Sequence, residues 1–240
     1  IGYHGCPAPE SIRQFISPEK VWPYKNNPEW NLHSTNPAPD VTVFFSPPSY
    51  RVELMANQIQ AVFGIIPDDL ETFAFASQVV QAEAMKTFIE MFRSNKWRRT
   101  GIIWWNLLDG WPQFSDAVID YYFREKLAYS YIQRSQRHLC LMIREPVASN
   151  LQLVAANDTF EDTPLAFSVK DVETGKQILS GEAIALANET TLLGEFPHHP
   201  TAQRFFLKEW QSPIETGVNH YLAGEPPFSI DDYRRWLQES

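Results

Sequence analysis

The sequence predicts an α/β region over residues 1–136, followed by an all-β region over residues 137–240 that ends in a helix. Two observations predict this division. In the first region, stretches with apolar residues at three- and four-residue steps surround one short, wholly apolar run, which is typical of helices packed on a buried strand. In the second region, short runs of alternating apolar and polar residues follow one another, separated by turns such as residues 173–176.

The first 49 residues hold a large share of the 18 prolines. Proline fixes φ and has no backbone N–H, so this part is predicted to be loop with short helical turns, such as Glu10 to Ile16. Long irregular segments in compact domains tend to be functional or to wrap around a larger body.

Three helices and one strand are predicted in the rest of the first region. Apolar residues recur with helical spacing over 52–64, 70–95 and 125–136, and Pro67-Asp68-Asp69 supplies an N-terminal cap for the second helix. Thr100 to Leu107 is apolar without alternation, which predicts a strand buried on both faces of a parallel sheet.

The second region contains seven candidate strands and a closing helix. Seven short strands in roughly 85 residues are typical of an immunoglobulin-like sandwich. Residues 229–237 read as an amphipathic helix that Ser229 caps. The predicted strands are 139–143, 151–155, 165–169, 177–182, 190–193, 204–210 and 217–222.

Composition excludes several classes of function. The net charge of −9 repels phosphate backbones, which argues against nucleic acid as a partner. No apolar run is long enough to span a membrane, so we expect a soluble protein. Cys6 and Cys140 are far apart and lack zinc-site spacing, which predicts two free thiols and no metal. No targeting peptide can be read, and periplasmic, secreted and lysosomal-type locations stay open.

The densest signal for chemistry lies in residues 101–112, where three tryptophans and an aspartate occur as the predicted strand ends. Ligands bind at the carboxyl ends of strands in α/β folds. Tryptophan rings match the C–H faces of a pyranose, and carboxylates bind its hydroxyl groups, so Trp105 and Asp109 are candidate sugar-binding residues. The alternative is that Trp104 and Trp111 are core aromatics and that Asp109 caps the following loop.

The same stretch resembles the last barrel strand and loop of glycoside hydrolase family 2, where the pattern is Trp-x-Leu-x-Asp-x-Trp-Pro. Residues 77–86 are similar to the Ser-Gln-x-x-Gln-Ala-Glu-Ala-Leu-Lys helix of its β-mannosidase branch. Residues 115–128, with 119–121 in register, are similar to that branch's linking region, and residues 217–222, 226–228 and 233–237 are similar to its closing segment. The resemblance implies the C-terminal part of a (β/α)8 TIM barrel over 1–136 and an immunoglobulin-like β-sandwich with a terminal helix over 137–240. The pattern is matched by Trp105, Leu107, Asp109, Trp111 and Pro112.

The first five residues are similar to the part of the family's nucleophile motif that follows the catalytic glutamate. On that register the nucleophile lies immediately before Ile1 and the general acid lies further upstream, so the resemblance implies no catalytic residue in this chain. Tyr3 and His4 then become candidates for substrate contact beside the nucleophile. The alternatives are that Tyr3 is a core residue and that His4 is a hydrogen-bonded packing residue.

The resemblance implies a fragment of a retaining glycosidase that hydrolyses terminal non-reducing β-linked sugars, mannose first, without a metal or organic cofactor. Its partners would be the carbohydrate substrate and the N-terminal remainder of the enzyme. Retaining hydrolysis needs two carboxyl groups about 5 Å apart. Asp109, Asp116 and Asp120 are close in sequence, but nothing in their spacing predicts an acid/base pair. The favoured role for Asp116 and Asp120 is to anchor loops or to cap helices.

Two other interpretations stay open. One keeps the family and changes the sugar to a β-galactoside or a β-glucuronide. The other is of a different class, a non-catalytic carbohydrate-binding or structural fragment.

Overall fold

The computed structural model describes residues 2–34, 50–147 and 149–239. The chain divides into two compact units, residues 1–86 with 103–132 and residues 87–102 with 133–240. The loop predicted for residues 35–49 lies outside the described residues.

The helices of the chain match the predicted ones closely. Asp69 caps α4 as predicted, because its Oδ1 accepts a hydrogen bond from the backbone N–H of Thr72 at 2.8 Å. A 3-10 turn spans Pro18–Lys20. The helices are α1 (Pro9–Phe15), α2 (Pro28–Leu32), α3 (Tyr50–Phe63), α4 (Leu70–Arg93), α5 (Leu127–Ser135) and α6 (Ile230–Leu237).

An aromatic cluster fills the core of the first unit. The rings of Trp30 and Phe114 stack with centroids 4.2 Å apart, and neither side chain is exposed. Phe73 of α4 packs edge-on against Trp30 and stacks on Tyr24 at 5.1 Å. The short helix α2, which carries Trp30, is thereby joined to α4.

The buried strand predicted for Thr100 to Leu107 is wrong for the described residues. This stretch makes one isolated parallel bridge, from Trp105 to Gly2. Ile103, Trp105 and Leu107 are 86%, 65% and 54% exposed, so alternate side chains form one uncovered apolar face. The physical reason is that a central strand becomes buried only when neighbouring strands and helices cover it, and the described part of the chain supplies too few of them.

The second unit contains seven antiparallel strands in two sheets. The order is β1-β2-β5 in the three-stranded sheet and β4-β3-β6-β7 in the four-stranded sheet. Each of the seven predicted strands lies inside an observed one, and the hydroxyl of Ser229 caps α6 by accepting from the N–H of Asp232 at 3.2 Å. The strands are β1 (Leu139–Val147), β2 (Asn150–Asn157), β3 (Thr163–Asp171), β4 (Lys176–Ala185), β5 (Thr190–Pro197), β6 (Arg204–Gln211) and β7 (Thr216–Ala223).

Both sheets contribute to one hydrophobic core. Along β3, Leu165, Phe167 and Val169 are buried while the residues between them face outward or are half-buried, as a strand period of two requires. Leu153 of the three-stranded sheet and Trp210 of the four-stranded sheet belong to the same cluster. Every helix in the described part of the chain is too short or too polar to cross a bilayer.

Gly217 of β7 is required by the indole ring of Trp210, its partner on β6. A Cβ atom at residue 217 would lie 2.0 Å from Cζ2 of Trp210. We expect Gly217→Ala to destabilise the second unit by about 1–3 kcal/mol, because overpacking forces the buried ring to move. Urea unfolding followed by circular dichroism measures this change.

The matched control is Gly101→Ala in the same unit, where an added Cβ meets nothing within 4 Å. Its stability should stay within about 0.5 kcal/mol of the parent chain. Equal midpoints for the two variants would show that the ring of Trp210 does not constrain this position.

Candidate functional site

The candidate site is built on residues 2–6, the N-terminal segment, which helix α4 holds in place. The hydroxyl of Ser77 accepts a hydrogen bond from the backbone N–H of Cys6 at 3.0 Å. The side chain of Gln78 donates to the carbonyl of Cys6 at 3.0 Å and accepts from the N–H of Leu127 at 3.0 Å. Both backbone groups of Cys6 are therefore satisfied by side chains of one helix.

Gln81 holds the same segment one turn further along α4. Its side chain is fully buried, and its amide donates to the carbonyls of Tyr3 and Asp116, each at 2.9 Å. A Cβ atom at Gly5 would lie 1.9 Å from Oε1 of Gln81, so only glycine allows this approach. The amide thus joins the N-terminal segment to the loop that contains Asp116.

The other side of the N-terminal segment faces residues 103–120, the tryptophan-rich loop. Gly2 forms a parallel bridge with Trp105, and the N–H of Gly5 donates to the carbonyl of Ser115 at 3.1 Å. The Trp105–Asn106 peptide bond is cis. The structure therefore places the two motifs beside each other, although about a hundred residues separate them in the sequence.

His4 is buried and contacts protein atoms through both ring nitrogens. Nδ1 lies 2.5 Å from Oδ1 of Asp116, and Nε2 lies 3.4 Å from Nη1 of Arg51. The side chain is 2% exposed. This arrangement is that of a hydrogen-bonded packing residue that connects α3 to the loop.

Asp109 is also buried, and its partners lie within its own loop. Oδ1 accepts hydrogen bonds from the amide of Gln113 at 2.7 Å and from the hydroxyl of Ser115 at 2.6 Å. Burial raises the pKa of Asp109, and the nearby Lys126 and the two hydrogen bonds oppose that rise. Through these two hydrogen bonds, the carboxyl group of Asp109 fixes the conformation of residues 109–115.

Lys126 is the buried cation beneath this loop. Its ammonium group donates to the carbonyl of Gly5 at 2.7 Å and to that of Ser115 at 3.4 Å. Burial lowers the pKa of Lys126, whereas the negative charges of Asp109, Asp120 and Asp116 raise it. A buried charge is costly unless it is paired, so the acidic loop and Lys126 stabilise each other.

The four predicted sugar-binding residues lie close together in the first unit but differ in exposure. Trp105 is 65% exposed and Tyr3 is half-buried, so both rings can reach a ligand. His4 and Asp109 are buried with internal partners. Trp104 is half-buried, not fully buried.

Other expectations concern Asp120, the cysteines and metal binding. Oδ1 of Asp120 accepts from the N–H groups of Tyr122 and Arg124 at 2.9 and 3.0 Å, which confirms its predicted role as a loop anchor. Cys6 and Cys140 are free and buried, and burial raises the pKa of Cys6 to about 12. Among the described residues, no group of three histidine, cysteine or acidic side chains could hold a metal ion.

Sequence reasoning missed three residues of this site. Gln81 has a readable signal, since it is a polar residue on the apolar face of a long helix. Arg51 and Lys126 have none, because isolated cations near helix ends are common on protein surfaces and only the folded chain reveals their partners.

Replacing Gln81 tests how much the N-terminal segment depends on α4. Gln81→Met keeps the length of the side chain but leaves the carbonyls of Tyr3 and Asp116 without this donor. We expect a loss of about 1–3 kcal/mol in the free energy of unfolding, the cost of unsatisfied buried polar groups. Urea denaturation followed by tryptophan fluorescence measures it.

Gln60→Met on α3 is the matched control, because its amide donates to the carbonyl of Gly64 in an exposed position. We expect a change within about 0.5 kcal/mol there. If both variants unfold at the same urea concentration as the parent, the hydrogen bonds of Gln81 do not hold the segment.

Comparison with known proteins gives both sequence and structural relatives, although no family model matches the chain. β-Mannosidase B of Aspergillus terreus is 30% identical over 149 residues, which are 51% of this chain and 17% of that protein. β-Mannosidase B of Aspergillus niger is 38% identical over 84 residues, which are 32% of this chain and 9% of the relative. The chain thus matches at most about a sixth of the length of these curated relatives.

Among solved structures, a β-D-mannosidase from Dictyoglomus thermophilum aligns with 95% of this chain and 27% of its own, with a TM-score of 0.75 and 26% identity. The exo-chitosanase of Amycolatopsis orientalis aligns with 97% of this chain and 30% of its own, with a TM-score of 0.68 and 12% identity, and so shares the fold alone. In both sequence and structure, this chain is thus similar to part of β-mannosidases.

Proposed function

We propose that this chain is part of a retaining glycoside hydrolase that cleaves terminal non-reducing β-linked mannose, and that it forms one wall of the sugar site. The observation that carries the proposal is the bridge between Gly2 and Trp105. It brings together the two motifs that resemble the nucleophile strand and the last strand of the family. The two sequence relatives and the Dictyoglomus thermophilum structure are β-mannosidases, which supports mannose as the sugar.

Trp105 is the proposed platform for the sugar ring. Its indole is 65% exposed and adjoins the N-terminal segment, where Tyr3 is half-buried. An exposed aromatic ring beside a partly buried one offers a flat apolar face to pyranose C–H groups. Tyr3 is therefore the second proposed contact.

His4 and Asp109 are proposed to hold the substrate-contacting residues in place and not to touch the substrate themselves. The contacts of His4 with Asp116 and Arg51 fix the segment that carries Tyr3. The hydrogen bonds of Asp109 fix the loop that follows Trp105. Both side chains are positioning residues in this proposal.

We place the nucleophile and the general acid outside this chain. Double displacement needs two carboxyl groups about 5 Å apart that face the anomeric carbon. The carboxylates of the tryptophan-rich loop are committed instead to internal partners, namely Asp109 to Ser115 and Asp120 to backbone N–H groups. The far greater length of the relatives supports this assignment.

The architecture proposed with this function is the C-terminal part of a (β/α)8 barrel over residues 1–136 and an immunoglobulin-like sandwich over 137–240. The shared fold with the mannosidase over 95% of the chain supports it. The uncovered face of Ile103, Trp105 and Leu107 would then point toward the rest of the barrel or its substrate.

The isolated 240-residue chain is expected to have no glycosidase activity, because both catalytic carboxylates are assigned elsewhere. The measurement is release of nitrophenol from nitrophenyl β-mannoside, β-galactoside and β-glucuronide. Turnover that Asp109→Asn abolishes would overturn the assignment and place the chemistry inside this chain.

In an enzyme that contains this chain, Trp105→Ala should lower kcat/KM for a β-mannoside by an amount that corresponds to about 1–3 kcal/mol, the range measured for aromatic stacking on bases. The melting temperature should change little, since the ring is mostly exposed. Trp104→Ala should lower stability by less than the ~3–5 kcal/mol of a fully buried tryptophan, because the side chain is half-buried.

Phe123→Ala is the matched control for Trp105, since Phe123 is 77% exposed in the same unit. It should leave kcat/KM unchanged. A Trp105→Ala enzyme with a lower melting temperature and unchanged activity per folded molecule would assign this ring to packing.

A further inference from the structure

We propose that the loop after α4 forms a binding site for an acidic carbohydrate, in which Trp97 stacks on the sugar ring and Arg99 binds its carboxylate or sulfate group. The site lies wholly within the second unit and is independent of the function proposed above. Four features of the loop carry the proposal.

The first feature is a local reversal of charge. The chain has 29 acidic residues, yet residues 91–108 contain neither aspartate nor glutamate. The same stretch holds four cations, Arg93, Lys96, Arg98 and Arg99. A cationic loop in a chain of net charge −9 attracts anions locally while the rest of the surface repels them.

The second feature is an exposed tryptophan with a fixed orientation. Trp97 is 60% exposed, and its backbone has a φ of 70°, a conformation that non-glycine residues rarely adopt. Its indole N–H donates to the carbonyl of Asn188 at 3.1 Å, and the ammonium group of Lys96 lies 5.8 Å from the ring centroid. A ring held in this way loses little conformational freedom when a ligand stacks on it.

The third feature is that some cations of the loop form ion pairs within the part of the chain that the structure describes and Arg99 does not. Arg93 and Lys96 form ion pairs with Asp158, at 2.8 and 2.7 Å, so both cations already have a carboxylate partner within the chain. The guanidinium group of Arg99 lies 5.3 Å from the ring centroid of Phe92 and makes no ion pair with any residue that the structure describes. Arg98 does not line the cavity described below, whereas Arg99 does. Arg99 is therefore the cation of this loop that is positioned for a ligand.

The fourth feature is a cavity of about 380 Å³ that contains these groups. Trp97, Arg99, Arg93, Lys96 and Asp158 line it, so three cations face one carboxylate. The volume falls in the range of small-molecule sites, roughly 300–1,000 Å³. The cavity therefore combines a net positive charge with one apolar aromatic face.

These features select the class of ligand. The face of Trp97 suits the C–H face of a sugar ring, and the planar guanidinium of Arg99 suits a carboxylate or a sulfate through paired hydrogen bonds. A neutral sugar would leave the positive charge unused, and a simple inorganic anion would leave the indole face unused. An acidic sugar uses both.

Calorimetric titration of the 240-residue chain tests the proposal with three probes, a galacturonate disaccharide, a sulfated disaccharide and neutral mannobiose. We expect at least one acidic probe to bind saturably, about tenfold or more tightly than mannobiose, and to weaken as salt is added. The two acidic arms decide between carboxylate and sulfate. The absence of saturation with both, or equal affinity for mannobiose, would overturn the proposal.

Two substitutions locate the site. Arg99→Gln and Trp97→Ala should each weaken binding of the acidic probe by about tenfold or more. The matched controls in the same unit are Lys176→Gln, which removes an exposed cation, and Phe160→Ala, which removes an aromatic ring that is 90% exposed. Both controls should bind like the parent chain.

Arg99→Gln is the decisive variant if Trp97→Ala unfolds, because residue 99 is exposed and its replacement keeps the backbone unchanged. A thermal melt by circular dichroism checks that each variant is folded. Unchanged affinity in a folded Arg99→Gln chain would reject this loop as the site.

Discussion

The hydrogen bonds from the amide of Gln81 to the carbonyls of Tyr3 and Asp116 are the constraint on which the first unit depends. A buried carbonyl without a donor costs free energy, and an extended segment at the edge of a sheet normally finds its donor on a neighbouring strand. Here the donor is the side-chain amide of Gln81 on helix α4. The N-terminal segment, and with it the proposed sugar site, therefore depends on this buried amide as well as on Ser77 and Gln78 of the same helix.

The buried ammonium group of Lys126 is a second constraint on the first unit. Lys126 donates to the carbonyls of Gly5 and Ser115, and the carboxylates of Asp109 and Asp120 offset the cost of its burial. The second unit also contains a buried ion pair. The carboxylate of Glu90, on α4, accepts a hydrogen bond from the side-chain amide of Asn219 at 2.7 Å and lies 3.5 Å from the buried ammonium group of Lys208. Polar side chains of one long helix thus organise both cores.

Two tryptophan rings are exposed, whereas the carboxylates of the tryptophan-rich loop accept hydrogen bonds from within the chain. Trp105 and Trp97 present open indole faces in the first and the second unit, respectively. In the tryptophan-rich loop, Asp109 and Asp120 each accept two internal hydrogen bonds through Oδ1. In the proposed function the chain therefore contributes aromatic contacts to the sugar, and the bond-breaking groups come from the rest of the enzyme.

The sequence by itself determined the helices, the seven strands of the second unit and the likeness to β-mannosidases, because periodicity, capping and motifs are local properties. Only the tertiary structure decided that Ile103, Trp105 and Leu107 are exposed, since burial depends on neighbours and not on composition. It likewise decided that His4 and Asp109 have internal partners and that Gln81 and Lys126 organise the site. The physical reason is distance along the chain: the hydrogen bond from Lys126 to Gly5 joins residues 121 positions apart, and no local pattern encodes such a contact.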